Sequence, residues 1–275
     1  MSQLYVSART RAGAFVLAAA VSLAGCGSDG SADLLGPDGK RAPRNLPTAA
    51  DLRAALIAAT AETSGPAANG GLGFNMWGTI VDRAGVVQAV VYTGDSPVDQ
   101  WPGSRVISAQ KANTANAFSL TGFALSTANL YSAVQPGGSL FGLQESNPVD
   151  ATIAYDGKIE DFGTTKDPLI GHRIGGVNVF GGGLALYNSN DELVGALGVS
   201  GDTSCADHII AWKVRDALGL DFVPAGVDAG TDNIIHDIQP DGSSPSGFGH
   251  PTCSETSTNT ANALPETHPI GANEP

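Results

Sequence analysis

Leu193 to Val199, LVGALGV, is apolar at seven consecutive positions, and this run restricts the fold more than any other feature. A strand with one wet face alternates apolar and polar residues, whereas an unbroken apolar run buries both of its faces. Cover is then needed on two sides, which points to a sheet lying between layers of helix. Just upstream, Leu184 to Tyr187 reads as a partner strand, with Asn188 to Asp191 as the polar turn. Downstream, Ser200-Gly201 ends the run, and Ser204 with Asp207 has the spacing of a capping box for a helix from Thr203 to Leu218.

The rest of the chain supplies compatible elements. Thr48 caps an expected helix from Ala49 to Thr63, with Leu52, Leu56 and Ala59 on one face. Gly65 to Gly73 is a glycine-rich loop. Trp77 to Val81 and Val86 to Tyr92 form a hairpin around Asp82-Arg83-Ala84-Gly85. Helices follow at Arg105 to Phe118 and Ser126 to Val134. Residues 135–171 read as loop, with a short strand at Ile153 to Tyr155. Leu220 to Val223 is extended, Asn233 to Ile238 is an expected edge strand, and the final twenty or so residues have the composition of a disordered tail. Together these give an α/β fold, an antiparallel sheet of about five strands with helices packed on it. There is no internal repeat.

Three segments resemble the GlcG/HbpS family of haem-binding, or haem-degrading, proteins, and they occur in the family's order. They are TIVDRAGVVQAVVYTGD from Thr79, SRVISAQKANTANAF from Ser104 to Phe118, and GGGLALYNSNDELVGALGVSGDTSCADH ending at His208. The resemblance implies a profilin-like three-layer sandwich, a haem or related tetrapyrrole ligand, and a glycine pair at the rim of its pocket. Homo-oligomers are common among such relatives. The division it suggests is a leader at 1–25, a flexible tether at 26–47, the family domain at 48–225 and a Gly/Pro-rich extension at 226–275.

The leader has the pattern of an export signal. Arg9 and Arg11 precede an apolar stretch, Ala12 to Val21, that is too short to span a bilayer. Leu23-Ala24-Gly25-Cys26 then resembles a bacterial lipobox, so Cys26 is the expected lipidation site. An acylated Cys26 would hold the domain at a lipid bilayer of the cell envelope, outside the cytoplasm and without a transmembrane helix.

Charge and cysteines narrow the partners. Without residues 1–25 the chain carries 12 basic and 27 acidic side chains, a formal charge of −15. Such a surface repels nucleic acid and anionic lipid. The propionates of a haem would need a local basic group, for which Arg105, Lys111, Arg173 and Arg215 are available, unless they are ordinary surface charges. With Cys26 acylated, Cys205 and Cys253 are left in an oxidising compartment, and a disulfide between them is expected. It would fasten the extension to the helix that follows the central strand.

Several motifs carry no recognisable chemistry. Gly181-Gly182-Gly183 is not followed by a helix closely enough to cradle a phosphate, so it reads as a tight bend into Leu184. Gly182 and Gly183 stay among the ligand-contacting candidates through the resemblance alone. Gly198-Val199-Ser200-Gly201 has Asp202 where a nucleophile elbow needs glycine, so Ser200 is not a hydrolase nucleophile. No acid/base pair stands out.

The histidines are His172, His208, His236, His250 and His268. None has the i, i+4 spacing of a helical metal site, which argues against structural zinc. Haem needs only one or two axial imidazoles, and His208 is the leading axial candidate. Cys205, His208, Trp212 and Arg215 fall on one side of the expected helix, opposite Ala206, Ile210, Val214 and Ala217. Either the segment after Pro224 covers that group as structure, or the group lines a haem site. His236 and His250 would be drawn toward His208 by the disulfide, His172 borders the glycine bend, and Arg105 lies near Trp101, which packs against the sheet. The expected function is binding of haem or a related tetrapyrrole. A sensor or carrier of a small organic acid or corrinoid, and a haem-degrading enzyme, are the alternatives.

Overall fold

The computed structural model describes residues 46–61 and 69–271. The leader at 1–25, Cys26, nearly all of the tether and residues 62–68 lie outside the described residues. No helix among the described residues is long and apolar enough to cross a membrane.

Four strands form one antiparallel sheet: β1 (Trp77–Asp82), β2 (Val87–Tyr92), β3 (Gly183–Tyr187) and β4 (Leu193–Ser200), in the order β2-β1-β4-β3. The run that the sequence singled out is therefore an interior strand, and all eight residues of β4 are buried. Helix α1 (Ala49–Ala61) and helix α5 (Ser204–Ala217) cover one face, where Leu52, Leu56, Ile80, Leu184, Leu197, Val199, Ile209 and Ile210 pack together. Helix α2 (Ser104–Phe118) covers the other, where Val106, Ala109 and Ala112 meet Val81, Val90 and Ala196. Each fully buried leucine, isoleucine or valine contributes roughly 1.5–3 kcal/mol.

Gly198 in β4 explains how α2 comes so close. A Cβ at Gly198 would lie 1.9 Å from the Ser108 carbonyl oxygen, so α2 rests directly on the strand backbone. Hydroxyls tie the two layers at the same place, Thr79 to Ser108 at 2.7 Å and Ser200 to Ser104 at 3.2 Å. Ser200 is thus a packing hydroxyl at the end of its strand.

Three expected elements take a different form. Ile153–Tyr155 is not a strand, because Asp150 caps a short helix α4 (Ala151–Ala154) by accepting from Thr152 N at 3.0 Å. It follows another short helix, α3 (Leu143–Ser146). The expected helix at Ser126–Val134 becomes two 3-10 turns, Thr127–Leu130 and Ser132–Val134. Pro136 holds Gln135 in an extended conformation and stops any longer ladder. Asn233–Ile238 makes only one isolated bridge, Ile235 with Gly249, because Ile234 N bonds the Asn233 side chain instead of a neighbouring strand. Because Ile153–Tyr155 and Asn233–Ile238 do not join it, the sheet has four strands among the described residues rather than about five.

The largest correction concerns the C-terminus. Residues that read as a disordered tail form helix α6 (Glu255–Thr267). Ser254 and Ser257 cap it reciprocally, with Ser257 N donating to Ser254 Oγ at 3.0 Å and Ser254 N donating to Ser257 Oγ at 3.1 Å. Ala261 and Leu264, one turn apart, join the cluster that α5 builds on the sheet. Composition alone cannot reveal a helix held by two apolar contacts and a cap.

Candidate functional site

Helix α5 organises the candidate residues. Thr203, one residue earlier than expected, is its N-cap and accepts from Ala206 N at 3.3 Å. The Asp207 carboxylate reaches back to Asp202 N at 2.9 Å and Gly201 N at 3.2 Å, and accepts from Lys111 Nζ at 2.7 Å. This pair is wholly buried. Burial pushes the Asp207 carboxyl up to about 6 and the Lys111 ammonium down, with their mutual attraction opposing both shifts.

Gly182 and Gly183 sit where this pair passes the sheet. Gly182 has φ +114°, and a Cβ there would stand 2.4 Å from Val199 O and 3.1 Å from Lys111 Nζ. At Gly183 a Cβ would meet Thr127 and the Lys111 backbone. The glycine bend is packed against protein on its open side, in accord with the backbone-bend reading.

On the far side of α5 the extension closes over the helix, as the structural-cover reading expects. Arg215 donates to both oxygens of Asp232 at 2.7 and 2.8 Å, and to Ala185 O at 3.2 Å. Its guanidinium stacks 4.8 Å from the Trp212 ring, and Trp212 Nε1 donates to His268 O at 2.9 Å. Asn233 donates through Nδ2 to Ala261 O at 2.9 Å, so its Oδ1 accepts from His208 Nε2 at 3.1 Å. His208 is completely enclosed, and burial brings its pKa down to about 3. Its Nδ1 has no partner in the structure.

The expected basic partners for propionates are occupied. Arg105 donates to the Asp167 carboxylate at 2.9 Å and stacks 3.8 Å from the Phe162 ring, and both members of the pair are buried. Lys111 and Arg215 are committed to Asp207 and Asp232. These three therefore serve inside the fold rather than at a ligand surface. Arg173 is exposed and donates to Ala84 O at 2.6 Å. His172 is also exposed, and its backbone carbonyl accepts from Val87 N at 2.9 Å, away from the other imidazoles. Trp101, expected against the sheet, is 49% exposed and packs edge-on against Phe74 at 5.2 Å.

A different group of side chains converges beside the N-terminus of α5. Cys205 and Cys253 form the expected disulfide, joining positions 48 residues apart. Next to it stand His236, half-buried, and His250, buried, with ring centroids 6.4 Å apart. His250 N donates to Ile235 O at 2.7 Å, and Asn129 Nδ2 donates to Asn233 O at 2.8 Å, so both segments are fixed by the backbone. The His250 ring packs 5.3 Å from Tyr131, and Tyr131 lies 6.4 Å from Phe180, which is 45% exposed.

The nitrogens of this imidazole pair are unusual. His250 Nδ1 is 2.8 Å from Pro251 O, which makes Nδ1 the proton-bearing nitrogen and leaves a lone pair on Nε2. That Nε2 has no partner, whereas the His236 ring interacts with the backbone of His250 and Pro251. Burial lowers the pKa of both rings, His250 to about 4. Two neutral imidazoles thus stand beside an aromatic surface, with the Nε2 lone pair of His250 free. His236 and His250 were visible as histidines, but Tyr131 and Phe180 were missed because each is a lone aromatic in a loop or turn.

Comparison with known proteins follows this geometry. The family model described as haem degrading protein HbpS-like matches residues 48–215, more than half of the chain. The chain belongs to the HbpS-like family. The match begins at the cap of α1 and ends at Arg215, so it includes the sheet and both covering layers but neither His236 nor His250. Two solved structures are similar, each 26% identical with a TM-score of 0.40. One is the Klebsiella pneumoniae protein ORFY, described under DUF336, covering 62% of this chain and 90% of its own. The other is described as a PduOC:heme complex and covers 61% and 91%. No curated protein matches the chain.

Proposed function

We propose that this HbpS-like protein binds haem on the surface formed by His236, His250, Tyr131 and Phe180. The observation that carries the reading is the imidazole pair in which His250 Nε2, left as the acceptor nitrogen, has no partner. Buried or half-buried polar nitrogens are ordinarily hydrogen-bonded, and an unsatisfied one is costly unless something occupies it. Haem would supply an iron that takes an imidazole nitrogen as axial ligand. His236, the less buried of the two, would hold the iron. Phe180 and Tyr131 would pack against the macrocycle, and the propionates would face solvent, since Arg105, Lys111 and Arg215 are held by internal carboxylates. Membership of the HbpS-like family supports the choice of haem over an organic acid, which would need one of those cations free.

Hemin added to the purified protein should shift its Soret band and saturate at a fixed stoichiometry. His236→Ala should alter the position of that band, while His172→Ala should leave it unchanged. Weak binding that never saturates would overturn the reading.

We further propose that the chain is exported and anchored in the envelope bilayer by acylated Cys26. The lipobox-like Leu23-Ala24-Gly25-Cys26 supports this, as does a disulfide of the kind that persists outside the cytoplasm. Labelled palmitate should enter the wild-type chain and not Cys26→Ser, and the variant should leave the membrane fraction. A wild-type chain that is soluble and unlabelled would count against anchoring.

A further inference from the structure

The same imidazoles lie beside two sulfurs. One donor atom each from Cys205, His236 and His250 falls within 4.8 Å of the others. The Cys253 sulfur is bonded to that of Cys205 at 2.02 Å. Three separate stretches of chain bring these donors together: the first turn of α5, the Ile235-His236 segment, and the loop from His250 to Cys253 before α6.

Two sulfurs and two imidazole nitrogens are the donor set of a tetrahedral zinc site, with Zn–S about 2.3 Å and Zn–N about 2.0–2.1 Å. Around such an ion the donors stand roughly 3.3–3.8 Å apart. The disulfide prevents this, because bonded sulfurs are too close to ligate together and neither is a thiolate. His250 needs no rearrangement of protons: its Nδ1 is held by Pro251 O, which leaves the Nε2 lone pair for a metal.

We propose that reduction of the Cys205–Cys253 disulfide creates a zinc site whose ligands are both thiolates, His236 and His250, so that disulfide and metal are alternative clasps for the C-terminal extension. A dithiol reductant gives two electrons and two protons to the disulfide and leaves as its own disulfide. Zinc binding then releases both thiol protons to solvent. Cys205 is buried and Cys253 exposed, so the reductant attacks from the Cys253 side. Either clasp holds the loop before α6 to α5, and only the oxidised one is indifferent to chelators.

The test uses the haem-free chain carrying Cys26→Ser, oxidised or reduced, titrated with Co2+ as the spectroscopic stand-in for zinc. The reduced chain should take one Co2+ with a thiolate-to-cobalt charge-transfer band and the intense visible bands of a tetrahedral ion. One equivalent of Zn2+ should displace it. The oxidised chain should bind at least about a hundredfold more weakly, a difference of about 2.7 kcal/mol. His236→Ala and His250→Ala should each weaken binding about tenfold or more and change the visible bands. Equal affinity in both redox states would overturn the proposal, and so would unchanged bands in both histidine variants. If the reduced chain loosens, Zn2+ added before the reductant should preserve its circular dichroism, and failure to do so would also overturn it. No haem enters this experiment, so its result is independent of the Soret titration.

Discussion

The family-matched region and the extension after Arg215 are built on different physics. From α1 to α5 the chain is layered, and its stability comes from continuous apolar packing on both faces of β4. After α5 the described residues hold one further helix, of thirteen residues, and are otherwise irregular chain. That chain is held by specific links: the Arg215–Asp232 pair, the Asn233 carboxamide, the Trp212–His268 bond and the disulfide. Layered packing tolerates small losses at many places. A segment held by a few links depends on each of them, and a buried ion pair is the least forgiving.

The strongest trial of that contrast is Asp232→Ala, which leaves the Arg215 guanidinium buried and unpaired. It should lower unfolding stability by about 3–5 kcal/mol, read from urea melts. A change below about 1 kcal/mol would mean that the extension moves away from the core freely. Cys253→Ser comes next. Opening a loop of 48 residues should cost about 2–4 kcal/mol, and fast amide exchange should appear in α6 before it appears in β4.

The third trial is the pH dependence of His208. Its folded pKa of about 3 lies below the ordinary histidine value of about 6.5, so the unfolded chain binds the extra proton between those limits. The contribution of His208 is therefore complete above about pH 6.5 and is lost as pH falls toward about 3, by up to about 1.4 kcal/mol per unit. Asp207, raised to about 6, acts in the opposite sense and favours the fold as pH drops below that value. His208→Gln should therefore flatten the acid limb of a stability–pH curve relative to wild type, and an unaltered slope would mean that His208 is solvated. The smallest effects are the two helix caps, Thr203→Ala and Ser254→Ala, each about 1 kcal/mol. If the extension unfolds together with the core, both should shift the global melt equally. If only Thr203→Ala does so, α6 opens separately.

The sheet and its covering helices were legible because their signals are local and repeated. LVGALGV needs cover on both faces wherever it is placed, and it became the buried interior strand. The disulfide was legible from the cysteine count, read together with a leader that has the pattern of an export signal. The roles of Arg105, Lys111 and Arg215 were not legible, because a charge in a helix looks the same whether solvent or a carboxylate meets it. Their partners Asp167, Asp207 and Asp232 lie 62, 96 and 17 residues away. The site was half visible: His236 and His250 could be named, but not their pairing, nor the unpartnered Nε2 of His250. Helix α6 was misread because its cap, Ser254 with Ser257, lacks the acidic residue that usually marks such a box.

By itself the amino-acid sequence determined the layered architecture, since hydrophobic periodicity acts through neighbours a few residues apart. It also determined the overall acidity and which two cysteines would meet. Only the tertiary structure decided which cations are internal ties, that His208 is sealed beneath the extension, and that His236 and His250 come together. Those outcomes depend on desolvation, which is a property of everything packed around a group and not of the residue that carries it.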